Sequence, residues 1–364
     1  MKRLLTYALM IAGFAGTVHA KDVTIGAILP LSGASATQGD DQRRGMELAV
    51  EKINANGGVL GGKLKIVTED SAGRAPTALD AAKKLVTVDG VPVLIGEFSS
   101  GITIPVAEYI AQQKKVHLNI ASTSIAVRKI PGNFYSVIGL DDVSGSFSAQ
   151  DVIDRGVKKV AVIAPNNAYG QGIAEAFSKK YKELGGTVTA SVLYTEGQTS
   201  YRRELQQLEK SAPDMYVYTA YGKESATINR EAFELGLSDT PWYAMYITMC
   251  TADSDPKYVE GQQGMDLNYV GPSGADYEKA YKAKYSGGFL STFNGFAYDS
   301  VMLTAAAINK AQSDDPAAIG AAIAELGKKY DGVTGEIVFD KERQRVSQPY
   351  LKLKIADGKV AAAD

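Results

Sequence analysis

The sequence is short of the residues that reactive chemistry draws on. Its 364 residues include one cysteine (Cys250), two histidines (His19 and His117) and one tryptophan. One thiol excludes an intramolecular disulfide, and the clustered His and Cys of a zinc or other transition-metal site do not exist. Charge of one sign is also lacking. The 39 Lys and Arg stand against 41 Asp and Glu, a net of −2, so nothing builds the basic field of a nucleic-acid binder. The 12 prolines and 37 glycines are too few and too dispersed for a disordered or collagen-like chain. Past the first twenty residues no apolar run approaches the roughly 18 residues of a membrane span. What remains is ordinary globular composition, 45% hydrophobic and 22% charged, at a length that fits two domains.

The first twenty residues read separately. Met1-Lys2-Arg3 is a basic start, Leu4 to Gly16 is mostly apolar, and Val18-His19-Ala20 is a small-x-small ending. As a helix the apolar run spans about 20 Å, too short for a bilayer core of about 30 Å. Residues 1–20 are therefore expected to be a secretory signal peptide, cut before Lys21. The cut removes Lys2 and Arg3 from the 39 bases, leaving 37 against 41 acids, and removes His19. With no Cys at the cut, a lipoprotein is not expected. The remaining chain is expected to be exported and free in its compartment, with Cys250 buried.

From Lys21 onward the pattern alternates strand, polar turn and amphipathic helix. Strand Val23–Leu29 precedes a helix over about 40–56, whose Met46, Ala49, Val50 and Ile53 fall at helical spacing before the stop Gly57-Gly58. Strands over 64–68, 91–95 and 116–120 alternate with helices over 77–88 and 102–113. The pattern restarts near residue 140, with helices over 144–155, 170–184, 201–210 and 225–235 and strands over 159–164, 187–194, 214–219 and 242–247. Three helices, over 277–285, 298–311 and 316–326, precede a strand pair, 335–339 and 350–355, connected by the polar 340–348. Short connections in this order imply two α/β units, each a parallel sheet covered by helices. At the strand ends, where ligands of such sheets bind, one unit offers small hydroxyls next to helix N-termini, which favour an anion. The other offers tyrosines.

Catalytic motifs fail in turn. With only His117, inside a predicted strand, no Ser or Cys triad has its base, and no Gly-x-Ser-x-Gly elbow occurs. Gly57 to Lys63 imitates a phosphate-binding loop, but Leu64 stands where Ser or Thr must hold magnesium, and the segment joins helix to strand, the reverse of the required order. Gly170-Gln-Gly172 has Glu175 at the third glycine place. The Asp-rich stretch Thr251 to Asp255 lacks the glycine and distant Glu of a calcium loop. Asp40, Asp41, Asp141 and Asp142 sit just before predicted helices, where acids stabilise the N-terminus without any catalysis. No enzyme and no cofactor are expected.

In order along the chain stand Ile25-Gly-Ala-Ile-Leu-Pro-Leu-Ser-Gly33, Gly39-Asp40, Ile53-Asn-Ala-Asn-Gly-Gly58, Ile95-Gly-Glu-Phe-Ser-Ser-Gly101, Asn167-Ala-Tyr-Gly-Gln-Gly172, Tyr298-Asp299, Tyr330-Asp-Gly-Val-Thr-Gly335 and Phe339-Asp340. Together, over 22–358, these resemble periplasmic leucine/isoleucine/valine-type solute-binding proteins. The resemblance implies a type I periplasmic binding protein, two doubly wound α/β lobes joined by a three-crossover hinge near residues 140, 268 and 343. Lobe 1 would be 22–140 plus 269–343, and lobe 2 would be 141–268 plus 344–364. Such a protein, expected to act as a monomer, captures an amino acid or related small carboxylate between its lobes and delivers it to an inner-membrane ATP-binding-cassette (ABC) permease.

By the same resemblance, Ser99, Ser100, Ser122 and Thr123 match positions holding the ligand's carboxylate. Tyr169 and Tyr221 match positions closing from the second lobe, and Phe293 matches an aromatic cleft position on the first. One departure stands out. Tyr246 occupies the place where branched-chain binders put an acid for the ligand's ammonium. A buried ammonium without an anion is costly. The departure therefore leaves two alternatives, a tyrosine-held amino acid or an aromatic carboxylate with no ammonium. Outside transport, a ligand sensor for a membrane receptor would use the same cleft.

Overall fold

The computed structural model describes residues 20–346 and 348–363, so all but the last residue of the expected signal peptide lies outside them. The first sheet is built by β1 (Lys21–Leu29), β2 (Gly61–Asp70), β3 (Val93–Gly96), β4 (Val116–Asn119) and β5 (Asn133–Ser136). They are parallel throughout, in the order β2-β1-β3-β4-β5. Between them run α1 (Ala36–Ala55), α2 (Ala75–Thr87) and α3 (Ser100–Gln112). Central strands covered on both faces need continuous apolar runs. In β3 and β4 every residue is buried. α1 turns Met46, Ala49 and Ile53 inward and stops where Gly58, at φ +71°, returns its N–H to the Ile53 carbonyl.

The chain then crosses to a second sheet. α4 (Asp141–Asp154) leads into β6 (Lys159–Pro165), α5 (Ala168–Glu183), β7 (Thr187–Tyr194), α6 (Arg202–Glu209), β8 (Met215–Tyr218) and α7 (Gly222–Glu234). β9 (Trp242–Met245), α8 (Ile247–Thr251), α9 (Pro256–Val259) and β10 (Gln263–Leu267) complete it. A second crossing returns α10 (Ala275–Tyr285), α11 (Asn294–Ala311) and α12 (Pro316–Leu326) to the first sheet, where α11 packs on α1 and β3 and α12 on β4. A hairpin, β11 (Tyr330–Gly332) with β12 (Gly335–Ile337), precedes the third crossing. β13 (Tyr350–Ala356) and β14 (Lys359–Ala362) then add antiparallel to β10, giving the order β14-β13-β10-β9-β8-β6-β7.

The alternation near residue 140 and the three returns are as expected; several details are not. β12 and β13 are not a pair. β12 pairs with β11 and β13 with β10, so 340–348 is a crossing between sheets and not a hairpin loop. Four strands, β5, β10, β11 and β14, were not expected at all. β5 is four residues after Pro131-Gly132, and β10 carries Gly264 and Asp266, so neither has the run of branched residues that marks a strand. β9 ends at Met245, two residues early, because Tyr246 turns left-handed (φ 68°) and opens α8. Helix α1 begins four residues early, which moves Asp40 and Asp41 inside it. Asp41 is not a helix-start acid. Its buried carboxylate accepts from Tyr281 Oη, the Leu290 and Ser291 N–H, Ser291 Oγ and Asn294 Nδ2, pinning the segment that carries Phe293.

Candidate functional site

Doubly wound sheets place ligands outside the carboxyl ends of their strands, where the strand order reverses. In the first sheet that point lies between β1 and β3, and in the second between β6 and β8. The segments leaving these ends face one another around a cavity of about 260 Å³. Phe98 and Ser100 follow β3, Ala121 and Thr123 follow β4, Tyr169 follows β6, Tyr221 follows β8, and Tyr246 and Met249 follow β9; Phe293 precedes α11. All nine of these residues are buried, so entry of a ligand requires the two units to part.

Five of these side chains form a closed girdle. Ring centroids lie 5.8 Å apart for Phe98–Tyr221, 5.8 Å for Tyr221–Tyr169, 6.4 Å for Tyr169–Tyr246, 6.3 Å for Tyr246–Phe293 and 5.2 Å for Phe293–Phe98. Each ring is held from behind. Tyr169 Oη shares a 2.7 Å hydrogen bond with Thr219 Oγ1, leaving the ring face for the cavity. Tyr221 Oη accepts from Asn167 Nδ2 at 3.2 Å and reaches across to Ser99 Oγ at 3.4 Å. The buried Asp266 ties the neighbours of Tyr246 and Phe293 together. It accepts from the N–H and hydroxyl of Thr248 and from Thr292 Oγ1 at 2.6–2.8 Å. Burial raises the Tyr169, Tyr221 and Tyr246 pKa values, so these phenols are neutral at physiological pH.

The polar end is on the first sheet's side. Ser100 opens α3, where the Ile102 and Thr103 N–H groups already donate to the Ser99 carbonyl while those of Ser100 and Gly101 precede the first intrahelical bond. Its hydroxyl oxygen accepts from the Ser124 N–H at 3.2 Å, which leaves its proton free for an anion. Thr123 Oγ1 is buried and finds no hydrogen-bond partner among the described residues. Glu97, behind Ser99, is pushed up to about 7 by burial while the Ser71 hydroxyl and the Ser99 and Phe98 N–H groups pull the other way.

Beside Thr123 stands a residue that sequence reasoning assigned to helix stabilisation. Asp141, the first residue of α4, is fully buried; no well-formed hydrogen bond reaches its carboxylate among the described residues, and the neighbouring Thr123 hydroxyl is the one group that favours its charged form. Its N–H donates to the Thr123 carbonyl at 2.7 Å, and its charge bears on the Tyr169, Tyr246 and Tyr350 hydroxyls. Burial pushes its carboxyl up to about 8. Tyr246 Oη and Tyr350 Oη are likewise buried and unpartnered among the described residues. An aspartate before a helix reads as a terminus acid; only the meeting of the two units shows that it faces inward.

Six of the eight residues singled out from sequence, Ser100, Thr123, Tyr169, Tyr221, Tyr246 and Phe293, come together on the cavity wall. Ser99 borders the wider adjoining part of the cleft with Tyr221. Ser122 is a correction. Its buried hydroxyl donates to the Phe98 carbonyl at 3.2 Å and lies 2.5 Å from Thr103 Oγ1, so it fixes two loops together and does not face the cavity. Phe98, Ala121 and Met249 were missed because they carry no polar signal. His117 is buried with Nε2 against the Gly96 carbonyl, and Cys250 is buried.

Comparison with known proteins bears on the same cleft. The chain is 28% identical over 363 residues to the Leu/Ile/Val-binding protein BraC3 of Rhizobium johnstonii, covering 96% of each. It is 30% identical to an amino acid binding protein of Pseudomonas aeruginosa, over 81% of this chain and 80% of that one. Among solved structures, the branched-chain amino acid transporter substrate-binding protein LivJ of Streptococcus pneumoniae, in complex with isoleucine, superposes with a TM-score of 0.84. That pair is 26% identical and covers 94% of this chain and 99% of that one. Its family profile, described as periplasmic binding protein, matches residues 22–359, and the chain belongs to the periplasmic binding protein family.

Proposed function

We propose that this protein binds the zwitterion of an α-amino acid between lobe 1 (22–140 and 269–343) and lobe 2 (141–268 and 344–364), and hands it unchanged to an inner-membrane ABC permease. Residues 1–20 direct export to the periplasm, where the protein works as a monomer. The ligand's carboxylate takes the Ser100 hydroxyl and the Ser100 and Gly101 N–H groups at the start of α3, with the Thr123 hydroxyl alongside. Its ammonium pairs with Asp141, and the five rings cover its body. Closing the lobes over the ligand selects the form the permease recognises.

The observation that carries this reading is the unpaired buried carboxylate of Asp141. It supports an answer to the departure at Tyr246: the acid for the ammonium would come from the start of α4 and not from the end of β9. An aromatic carboxylate could fill the girdle but would leave Asp141 without an ionic partner, and would place a second acid beside it.

The test is thermal unfolding of the stripped protein with amino acids, their deaminated analogues and aromatic acids. At 100 times its Kd a ligand adds about 2.7 kcal/mol. Amino acids are expected to raise the melting temperature and deaminated analogues are not; the reverse pattern would overturn the assignment of Asp141. A second measurement separates the two serines. Ser122→Ala is expected to cost about 1 kcal/mol in urea unfolding with affinity unchanged. Ser100→Ala is expected to weaken calorimetric affinity about tenfold, equivalent to about 1.4 kcal/mol, with stability little altered.

A further inference from the structure

Phe98 and Tyr221 line the closed cavity and also the wider part of the cleft, so the two spaces adjoin across these rings. The wider part has a volume of about 1090 Å³, against about 260 Å³ for the closed cavity. Its wall carries three carboxyl groups and no lysine, arginine or histidine. Glu97 follows β3, Glu196 follows β7, and Glu224 lies in the first turn of α7. Two of the three are buried, Glu97 fully and Glu224 with 8% of its surface exposed. Hydrogen bonds fix where they stand. Glu97 accepts from the Ser71 hydroxyl at 2.5 Å and the Ser99 N–H at 2.9 Å. Glu224 accepts from the Gly197 N–H at 2.6 Å and the Tyr194 hydroxyl at 3.3 Å. Those neutral donors leave the charges unanswered. The bases nearest along the chain are engaged elsewhere or face solvent: Arg202 pairs with Glu234, Arg203 pairs with Glu204, and Arg74 and Lys223 are exposed. The charged group that bears on Glu224 is another acid, Glu196. Glutamates are almost never buried unless paired, and a low-dielectric cleft lined by one sign of charge concentrates the opposite sign.

Resting on the amino-acid reading above, we propose that the bound amino acid has a basic side chain, an amine or a guanidinium, whose stem passes Phe98 and Tyr221 and whose cation ends among Glu97, Glu196 and Glu224. The methylene stem of such a side chain suits an apolar wall, and its head is attracted to aromatic faces on the way. An ammonium offers three donors and a guanidinium five, and each carboxylate keeps acceptor sites beyond those its neutral donors use. The three carboxyl groups do not gather into a set that could hold a metal ion, so an extended organic cation fits them and a bare one does not. An acidic side chain would bring a fourth carboxylate to the same wall. The aliphatic side chains of leucine, isoleucine and valine would leave all three charges without a partner.

The experiment is calorimetric titration of the stripped protein with arginine and lysine against citrulline, norleucine, leucine and glutamate. Citrulline keeps the shape of arginine without its charge, and norleucine does much the same for lysine. The better basic ligand is expected to bind about tenfold tighter, or more, than its neutral counterpart, with glutamate weakest of all. In the double variant Glu196→Gln/Glu224→Gln that ratio should fall by about tenfold. If the double variant does not fold, Glu196→Gln alone, at an exposed position, should cut the ratio roughly threefold. Equal or tighter binding of the neutral counterparts, or a ratio unchanged in the folded variants, would overturn the proposal. Amino acids that bind in an Asp141-dependent way without regard to side-chain charge would sink this inference alone. Failure of every amino acid to bind would sink the amino-acid reading and this inference with it.

Discussion

Replacing Asp141 by Asn is expected to raise the Kd for an amino acid by about 100-fold, equivalent to about 2.7 kcal/mol, while leaving the ligand-free protein as stable as before or more so. The two effects differ in sign for one reason. Without ligand the carboxylate is buried and unpaired, so neutralising it relieves a cost. With ligand, on the reading proposed above, it is the anion that meets the ammonium. A merely structural acid at the start of α4 would behave oppositely, with stability falling and affinity holding. Titration calorimetry with urea unfolding of the same variant separates the cases.

A pH dependence accompanies this. Burial raises the Asp141 carboxyl to about 8 from the ordinary 3.8. Between those values the folded chain holds a proton that the unfolded chain has lost. This group's contribution to stability therefore falls as pH rises from about 4 to about 8 and is level above. An ammonium beside the carboxylate favours its charged form, so binding expels the proton. Affinity should rise with pH, by up to tenfold per unit, over roughly pH 6 to 8. In Asp141→Asn that slope should vanish; its persistence would place the titrating group elsewhere, with Glu97 the next candidate.

The second large effect is expected from Gly222→Ala. Gly222 follows the cleft residue Tyr221 and opens α7 at φ +31°, where the lips of the two units touch. There the Lys223 N–H donates to the Ala34 carbonyl at 3.3 Å, and the Thr37 hydroxyl donates to Asp253 at 2.8 Å. A Cβ at 222 would lie 2.3 Å from the Ala34 oxygen and 2.8 Å from Asp253 Oδ2. Backbone on one side cannot yield as a flexible side chain can, but parting the units removes the clash. Closure should be blocked while each unit folds. Ligand affinity is expected to fall at least tenfold, about 1.4 kcal/mol. X-ray scattering should lose the ligand-induced contraction, and the ligand-free melting temperature should drop by only a few degrees. Unaltered affinity and contraction would show that these lips do not meet in the bound form.

Sequence alone determined what local physics writes into a chain. Continuous apolar runs such as Val93–Gly96, the stripe Met46, Ala49 and Ile53, and the Gly57-Gly58 stop set out most of two α/β units, because each depends only on near neighbours. The scarcity of His and Cys narrowed the chemistry, and the ordered motifs from Ile25 to Asp340 pointed to the family. What required tertiary structure was every relation between distant segments. β5 is a strand because β4 pairs along it, and β10 because β9 and β13 flank it; these neighbours supply the hydrogen bonds that their own composition does not encourage. β12 and β13 belong to different sheets although both have strand-like patterns. Above all, Asp41 and Asp141 carry the same helix-start signature. One became an anchor with five donors around it and the other a buried carboxylate that no well-formed hydrogen bond reaches among the described residues. Burial and pairing are properties of the assembled interior, where a side chain's energy is set by whatever the rest of the chain brings beside it.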